Sequence, residues 1–185
     1  MSKTFFIADT HFNHGRIISI CERPFSDVEE MNKTLIEKWN SVVEDDDIVW
    51  ILGDYFYFPE HLKSCVSLLV CREITYNLKG IKKLIIGNHD TQDPEYYKSS
   101  GFEFVSPYPV IYDNFFILSH EPLLLSNTTP YFNLYGHVHN DQRFEDTSTS
   151  RCVSVERINY TPVSLEKIKF EIENMDILST ENLLG

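Results

Sequence analysis

Short apolar runs recur along the chain of 185 residues, and most consist of three to five branched or aromatic side chains. Runs of this length and composition are typical of buried β-strands. Five of them stop directly before a cluster of side chains that can bind a metal. These five predicted strands cover residues 4–8, 48–52, 84–86, 115–118 and 133–135.

Helical periodicity fills the intervals between the predicted strands. The segment from Ser26 to Glu29 matches a capping box, and apolar residues three to four positions apart predict a helix over residues 27–43. Further helices are predicted over residues 59–71 and 94–99, and after Ser164 as an N-cap. One more strand is predicted over residues 152–154. Strands that alternate with helices predict a layered α/β protein.

Composition sets limits on the organisation and the partners of the chain. No linker or repeat divides the sequence, so we expect one domain over residues 1–185, with a tail from about residue 174 that can fray. Net charge is −12, and duplex DNA is bound through basic residues, so long duplex nucleic acid is not an expected partner. Without a signal peptide or an apolar run of roughly 18 residues, we expect a cytoplasmic protein outside the membrane. The sequence leaves the oligomeric state open.

Potential metal ligands follow each of the five predicted strands. In layered α/β folds, ligands bind beyond the carboxyl ends of strands, so we expect these side chains to meet. Five of the seven histidines of the chain lie there, a concentration that scattered surface residues rarely reach. Imidazole and carboxylate without thiolate suit Mn, Fe or Zn, and a bridging carboxylate can hold two such ions about 3.5–4 Å apart. The polar side chains in these corners are Asp9, His11, Asp54, Asn88, His89, Asp90, His120, His137 and His139.

The motifs that contain these residues occur in the order DTH, GD, GNHD, SHEP and GHVH. This series resembles the calcineurin-like metallophosphoesterase superfamily, and the match extends from Asp9 to His139. DTH or GD alone is a weak signal, whereas GNHD with a later GHxH is a specific combination. The resemblance implies an α/β fold, a four-layer α-β-β-α sandwich in which two mixed sheets are flanked by helices. It also implies two divalent metal ions as cofactors.

The resemblance further implies a role for each motif residue. Asp54 would bridge both metal ions. His89 would bind the phosphate or protonate the leaving oxygen, and Asp90 would orient His89. The other implied ligands are Asp9, His11 and His139 for the first ion, and Asn88, His120 and His137 for the second.

Two further residues are candidates for binding the phosphate of the substrate. His14 lies three residues after His11, and Arg23 can offer a bidentate guanidinium group. For both residues, a surface contact or a salt bridge at a helix entry is the alternative interpretation.

These features predict a hydrolase in which a metal-bridging hydroxide attacks a phosphate ester. The small size of the chain leaves little room for a capping domain and favours a modest phosphorylated substrate, such as a nucleotide or a cyclic nucleotide. Between the two kinds of ester, we expect a phosphodiester in preference to a monoester. Two alternatives remain open. One is a non-catalytic scaffold that uses the same fold for protein contacts, and the other is a nuclease that acts on short single strands.

Overall fold

Two mixed β-sheets pack face to face in the computed structural model, which describes residues 2–58, 65–126 and 128–181. Within the larger sheet, four strands pair in parallel and a fifth runs antiparallel at one edge. The order along this sheet is β4 (Phe104–Ser106), β3 (Ile81–Ile85), β2 (Ile48–Leu52), β1 (Thr4–Ile7) and β9 (Val163–Ser164).

The smaller sheet combines one antiparallel and two parallel pairings. Its order is β5 (Val110–Tyr112), β6 (Phe116–Leu118), β7 (Phe132–Tyr135) and β8 (Ser150–Cys152). The predicted α/β architecture, two mixed sheets flanked by helices, is confirmed. The helices are α1 (Gly15–Ile20), α2 (Val28–Asn40), α3 (Cys65–Asn77), α4 (Pro94–Ser99) and α5 (Leu165–Glu181).

Side chains of β1 alternate between two hydrophobic cores, because successive residues of a strand point to opposite faces. Phe5 and Ile7 belong to the core between the larger sheet and helices α1 to α4. Phe6 and the following Ala8 belong to the core between the two sheets, which Ile168 of α5 also joins. Burial of each large apolar side chain contributes about 1.5–3 kcal/mol, so both cores hold this strand in place.

The five predicted strands that precede ligand motifs are confirmed as β1, β2, β3, β6 and β7, with small shifts at their ends. Sequence patterns did not predict β4, β5, β9 or α1. These elements are two to six residues long, and α1 buries a single side chain, that of Ile17. No start signal marks α1, whose N-cap makes no side-chain hydrogen bond, whereas the equally short α4 was predicted and begins with the N-cap Asp93 and Pro94. The short strands form because neighbouring strands pair with them.

Helix termini refine two of the sequence predictions. The N-cap of α2 is Asp27, whose carboxylate accepts the backbone N–H of Glu30 at 2.8 Å, while the Glu30 carboxylate accepts the N–H of Ser26 at 2.7 Å. The capping exchange is therefore shifted by one residue from the predicted box. The helix predicted over residues 59–71 is seen as α3, which starts at Cys65; residues 59–64 lie outside the described part.

The carboxyl ends of the parallel strands of both sheets meet along one edge. A bridge between Ala8 and Ser154 joins the two sheets there, with Ala8 N–H donating to Val153 O at 2.9 Å and Val155 N–H donating to Ala8 O at 3.1 Å. The chain segments that follow β1, β2, β3, β6 and β7 are thereby brought together. Among the described residues, the helices are all too short or too polar to cross a bilayer.

Candidate metal centre

Each ligand motif turns sharply where its strand ends. Left-handed backbone at a non-glycine residue costs roughly 1–2 kcal/mol, so it persists only where the surroundings enforce it. Here, Asp9 N–H donates to Gly53 O at 3.0 Å, and His11 N–H donates to Asp54 O at 2.9 Å. The backbone turns of the DTH and GD motifs are therefore hydrogen-bonded to each other. Predicted ligands with positive φ are Asp9 (58°), His11 (48°), Asp54 (54°), His137 (71°) and His139 (48°).

The buried carboxylate of Asp54 lies between two imidazole rings. Its Oδ2 is 3.4 Å from Nε2 of His11 and 3.6 Å from Nε2 of His120, and its Oδ1 accepts the backbone N–H of His89 at 2.8 Å. Burial opposes ionisation, but the neighbouring imidazoles of His11 and His120 lower the pKa of Asp54 to about 2. An ionised oxygen between two histidines, one after β1 and one after β6, is the arrangement expected of a metal ligand.

Asp9, His11 and His139 form the first cluster of potential ligands, with one donor atom of each within 4.8 Å of the others. The Asp9 carboxylate is fixed by Ser154 Oγ, which donates at 2.6 Å, and by the N–H of His137 at 2.9 Å. Nε2 of His11 is buried and has no hydrogen-bond partner among the described residues. A buried polar atom without a partner is costly, and a cation at this position would satisfy it.

Asn88, His120 and His137 form the second cluster. Oδ1 of Asn88 is 2.8 Å from Nε2 of His120 and 2.9 Å from Nδ1 of His137. Nδ1 of His120 lies 2.9 Å from the carbonyl of Leu52 and donates to it, so in the neutral ring Nε2 presents a lone pair to the amide oxygen. Two acceptors that face each other fit a shared cation. All seven predicted ligands are thus brought to one place, and the Asp and His clusters there can hold a metal.

Three motif glycines lie where a Cβ atom would meet a ligand residue. A Cβ on Gly87 would lie 2.5 Å from the backbone nitrogen of Asp54. One on Gly53 would lie 2.6 Å from Cγ of His120, and one on Gly136 would lie 2.6 Å from Oδ2 of Asp9. The glycines of GD, GNHD and GHVH are therefore required because backbone and ligand side chains pack in direct contact.

His89 lies at the open side of the site with an exposed side chain. Its ring is 5.2 Å from the ring of His11 and 6.0 Å from the ring of His14, measured between centroids. Only its backbone N–H is held by Asp54. The imidazole therefore lies beside the first cluster, on a side of the site that is open to solvent.

Asp90 does not orient His89, and this sequence prediction is corrected. Its carboxylate accepts the backbone N–H groups of Gly87, Asp54 and Tyr55 at 2.9, 2.8 and 3.0 Å, and the hydroxyl of Tyr97 at 3.3 Å. Burial, and then the charge of Asp54, raises the pKa of Asp90 to about 7. Asp90 binds the GNHD corner to the GD corner through the backbone, so its role is to hold two ligand loops together.

Arg23 is buried and fully bonded, which corrects its predicted contact with the substrate. Its guanidinium donates to the carbonyls of Asp9 and Thr10 at 2.7 and 3.0 Å and pairs with Glu156 at 2.8 Å. The salt bridge was the alternative interpretation, although it forms inside the protein and not at a helix entry. Arg23 therefore stabilises the left-handed turn of the DTH motif by binding two of its backbone carbonyls.

His14 is also buried. Its ring stacks on Tyr57 at 4.1 Å, and its Nδ1 is 3.1 Å from Nδ1 of His11. Burial, followed by repulsion from His11 and His89, lowers the pKa of His14 to about 4, so the ring is neutral at physiological pH. These contacts hold the rings of His14 and His11 against each other. Binding of a substrate phosphate by His14 stays a prediction.

Sequence reasoning missed Glu156 and Ser154. Oε1 of Glu156 lies 3.0 Å from Nδ1 of His139, which leaves Nε2 of that ring directed towards Asp9, at 4.0 Å from its Oδ1. A carboxylate that holds the far nitrogen of a ligand histidine fixes the ring and its tautomer. The signal was present, since the predicted strand at residues 152–154 also ends in a carboxylate two residues later.

Replacing Glu156 by glutamine is expected to weaken metal binding about 10–100-fold, because the orienting charge behind His139 is lost. Titration calorimetry of the metal-free protein with Mn²⁺ measures this. Glu73→Gln, which removes an exposed carboxylate on α3, serves as the control and should bind as the parent does. Equal affinity in Glu156→Gln and the parent would contradict the orienting role.

Comparison with known proteins gives consistent results. The chain matches the calcineurin-like phosphoesterase family over residues 2–179. It is 38% identical to an uncharacterised protein of Methanocaldococcus jannaschii over 190 positions, which cover 98% of each chain. The Gene 66 protein of Mycobacterium phage L5 is 39% identical over 51% of this chain and 42% of the phage protein.

Two solved structures share the fold. A protein of unknown function from Aquifex aeolicus superposes with a TM-score of 0.66 at 21% identity, covering 93% of this chain and 100% of that one. The nuclease MPE of Pseudomonas putida gives a TM-score of 0.50 at 20% identity, covering 74% of this chain and 61% of the nuclease. With the family match extending over nearly every residue and the ligand motifs gathered at one edge of both sheets, the chain belongs to the calcineurin-like phosphoesterase family.

Proposed function

We propose that this phosphoesterase uses two divalent metal ions to hydrolyse a phosphodiester of a small, nucleotide-like molecule. The observation that carries the proposal is the position of the Asp54 carboxylate between His11 and His120, with a further group of donor residues on either side of it. When bound, two such ions supply a water of lowered pKa and neutralise the phosphoryl oxygens. Mn, Fe and Zn all suit this set of donors.

The protein's own residues would position the ester and move a proton. Asn88, His89 and His137 have exposed side chains, so the centre is open on this side, and an ester can extend in more than one direction. This openness favours a diester, which carries a group on each side of the phosphorus. The imidazole of His89 stands at the open side and would bind a phosphoryl oxygen or protonate the leaving oxygen.

The proposal is tested by measuring phosphoesterase activity and the number of bound metal ions in the same protein sample. Protein stripped of metal and then loaded with Mn, Fe or Zn is assayed with bis-p-nitrophenyl phosphate, p-nitrophenyl phosphate and a panel of nucleotides, and bound metal is measured by elemental analysis. We expect two ions per chain, activity that requires them, and faster turnover of the diester. No turnover of any of these esters by the metal-loaded protein would count against the proposal and would favour the protein-binding scaffold.

His89→Ala is expected to lower kcat about 10²–10³-fold while two ions remain bound, because the ring moves a proton and only its backbone contacts Asp54. Elemental analysis and steady-state kinetics of the same sample separate the two effects. Partial rescue by added imidazole is also expected. Full activity in His89→Ala would exclude the proton-transfer role, and loss of metal would instead make His89 a ligand.

A nuclease acting on short single strands is the second candidate, because a nuclease is among the proteins that share the fold. Labelled oligonucleotides of two to ten nucleotides test it directly. Metal-dependent shortening that disappears in Asp54→Asn would favour the nuclease. The net charge of −12 makes rapid action on long strands unfavourable at low salt.

A further inference from the structure

A cavity of about 370 Å³ adjoins the metal centre on the side of Asn88 and His120. One wall comes from the end of β3 and the GNHD loop, a second from the loop between β4 and β5, and a third from the segment after β6. Its volume is at the small end for ligand sites, which suits one ring system and not an extended chain. The cavity therefore lies where the group attached to a bound phosphate would extend.

The walls of this cavity are fixed before any ligand arrives. Asn133 is fully buried and accepts the N–H of Leu123 at 2.8 Å, while its own amide donates to Ser119 Oγ at 2.9 Å. Ser119 Oγ in turn donates to the carbonyl of Glu121 at 2.7 Å. On the opposite side, Ile86 N–H donates to Ser106 O at 2.8 Å. A cavity with bonded walls can select a ligand by shape.

Beyond Asn88 and His120, which belong to the metal centre, the lining is mostly apolar. Its other polar side chains are Ser119, whose hydroxyl is already hydrogen-bonded to Asn133 and Glu121, and Glu121 at the edge. Ile86, Leu123, Pro107 and Pro109 contribute hydrocarbon, and the two prolines have no backbone N–H to donate. Glu121 is exposed, and its carboxylate has no hydrogen bond or ion pair within the described part of the chain. This edge accepts hydrogen bonds and repels anions. A matching group is flat, uncharged and equipped with a donor.

We propose that this cavity binds a nucleobase that carries an exocyclic amino group, with Glu121 accepting a hydrogen bond from the amine. The inference rests on the proposed function, and it names the substrate class of the same site. Cytosine and adenine present such a donor at the ring edge, whereas uracil and hypoxanthine present a carbonyl oxygen there. The same acidic edge disfavours substrates with a second phosphate on this side of the centre.

The experiment compares bases that differ in this one group. Phosphodiesters of cytidine and uridine, and of adenosine and inosine, are assayed as pairs with the metal-loaded protein. We expect kcat/KM to favour the amino member of each pair by about tenfold, as for a hydrogen bond to a charged acceptor. In Glu121→Gln the side-chain amide can face either group, so the preference should fall to within about twofold. Glu29→Gln, an exposed acid on α2, is the matched control and should keep it.

A binding measurement without metal separates the two hypotheses. Saturation-transfer NMR of the metal-free protein with free cytidine and uridine reports on the cavity alone, and we expect the stronger signal from cytidine, reduced in Glu121→Gln. Metal-dependent turnover with equal rates for both members of each pair, or a preference unchanged in Glu121→Gln, would overturn this inference and leave the phosphodiesterase intact. Absence of turnover together with selective binding of cytidine would overturn the enzyme proposal and retain the base site.

Discussion

Asp54→Asn is expected to lower metal-dependent kcat/KM by at least about 10³-fold. The residue supplies the carboxylate oxygen between His11 and His120, and several kcal/mol of charge stabilisation depend on the ions that it would bridge. Asparagine keeps an acceptor for the N–H of His89 and tolerates the left-handed backbone at this position, where φ is 54°. The fold should therefore persist, with a melting temperature within a few degrees of the parent.

The control for this variant is Asp113→Asn. Asp113 also has a φ of 54°, and it lies in the turn between β5 and β6, where it pairs with Lys169 on the surface. The same change of charge and shape is thus made away from the centre, and activity should be unaltered. Steady-state rates with elemental analysis decide the outcome. If Asp54→Asn kept two ions and more than a tenth of the activity, Asp54 would not be the bridging ligand.

Asp90→Ala is expected to lower the free energy of unfolding by about 3–5 kcal/mol. Three buried backbone N–H groups, those of Gly87, Asp54 and Tyr55, lose their acceptor, and each costs about 1–3 kcal/mol when unpaired. Burial already makes the ionised carboxylate costly, which moderates the net loss. Urea unfolding of the metal-free protein measures the effect, and metal binding should weaken as well because both loops are released.

Asp93→Ala is the matched control for this second variant. Asp93 is three residues further along the chain and accepts one backbone N–H, that of Tyr96, as the N-cap of α4. Its loss should cost about 1 kcal/mol, the usual value for a helix cap. Asp90→Ala could instead be destabilised no more than Asp93→Ala and turn over substrate as slowly as His89→Ala. That result would support an orienting role of Asp90 for His89.

The positions of the ligands followed from local features of the sequence. Each lies directly after a short apolar run, and a strand of that kind forms because its neighbours bury both of its faces. The motif order from Asp9 to His139 then indicated one centre at the ends of the strands, and the structure gathers those side chains there. Short elements such as β4 and α1 escaped prediction, since neither a ligand motif nor a helix cap marks them in the sequence.

The sequence by itself determined the motifs at the strand ends and the chemistry of their side chains. Both are local properties, because a short apolar run and the polar residues that follow it are neighbours along the chain. Only the tertiary structure decided which groups support the ligands. Arg23 and Glu156 meet across 133 positions, and Ser154 reaches Asp9 across 145. No local pattern encodes contacts at that separation, because they depend on how two sheets pack. For the same reason the carboxylate of Asp90 holds backbone N–H groups of two ligand loops, where its position in the GNHD motif had predicted an orienting role for His89.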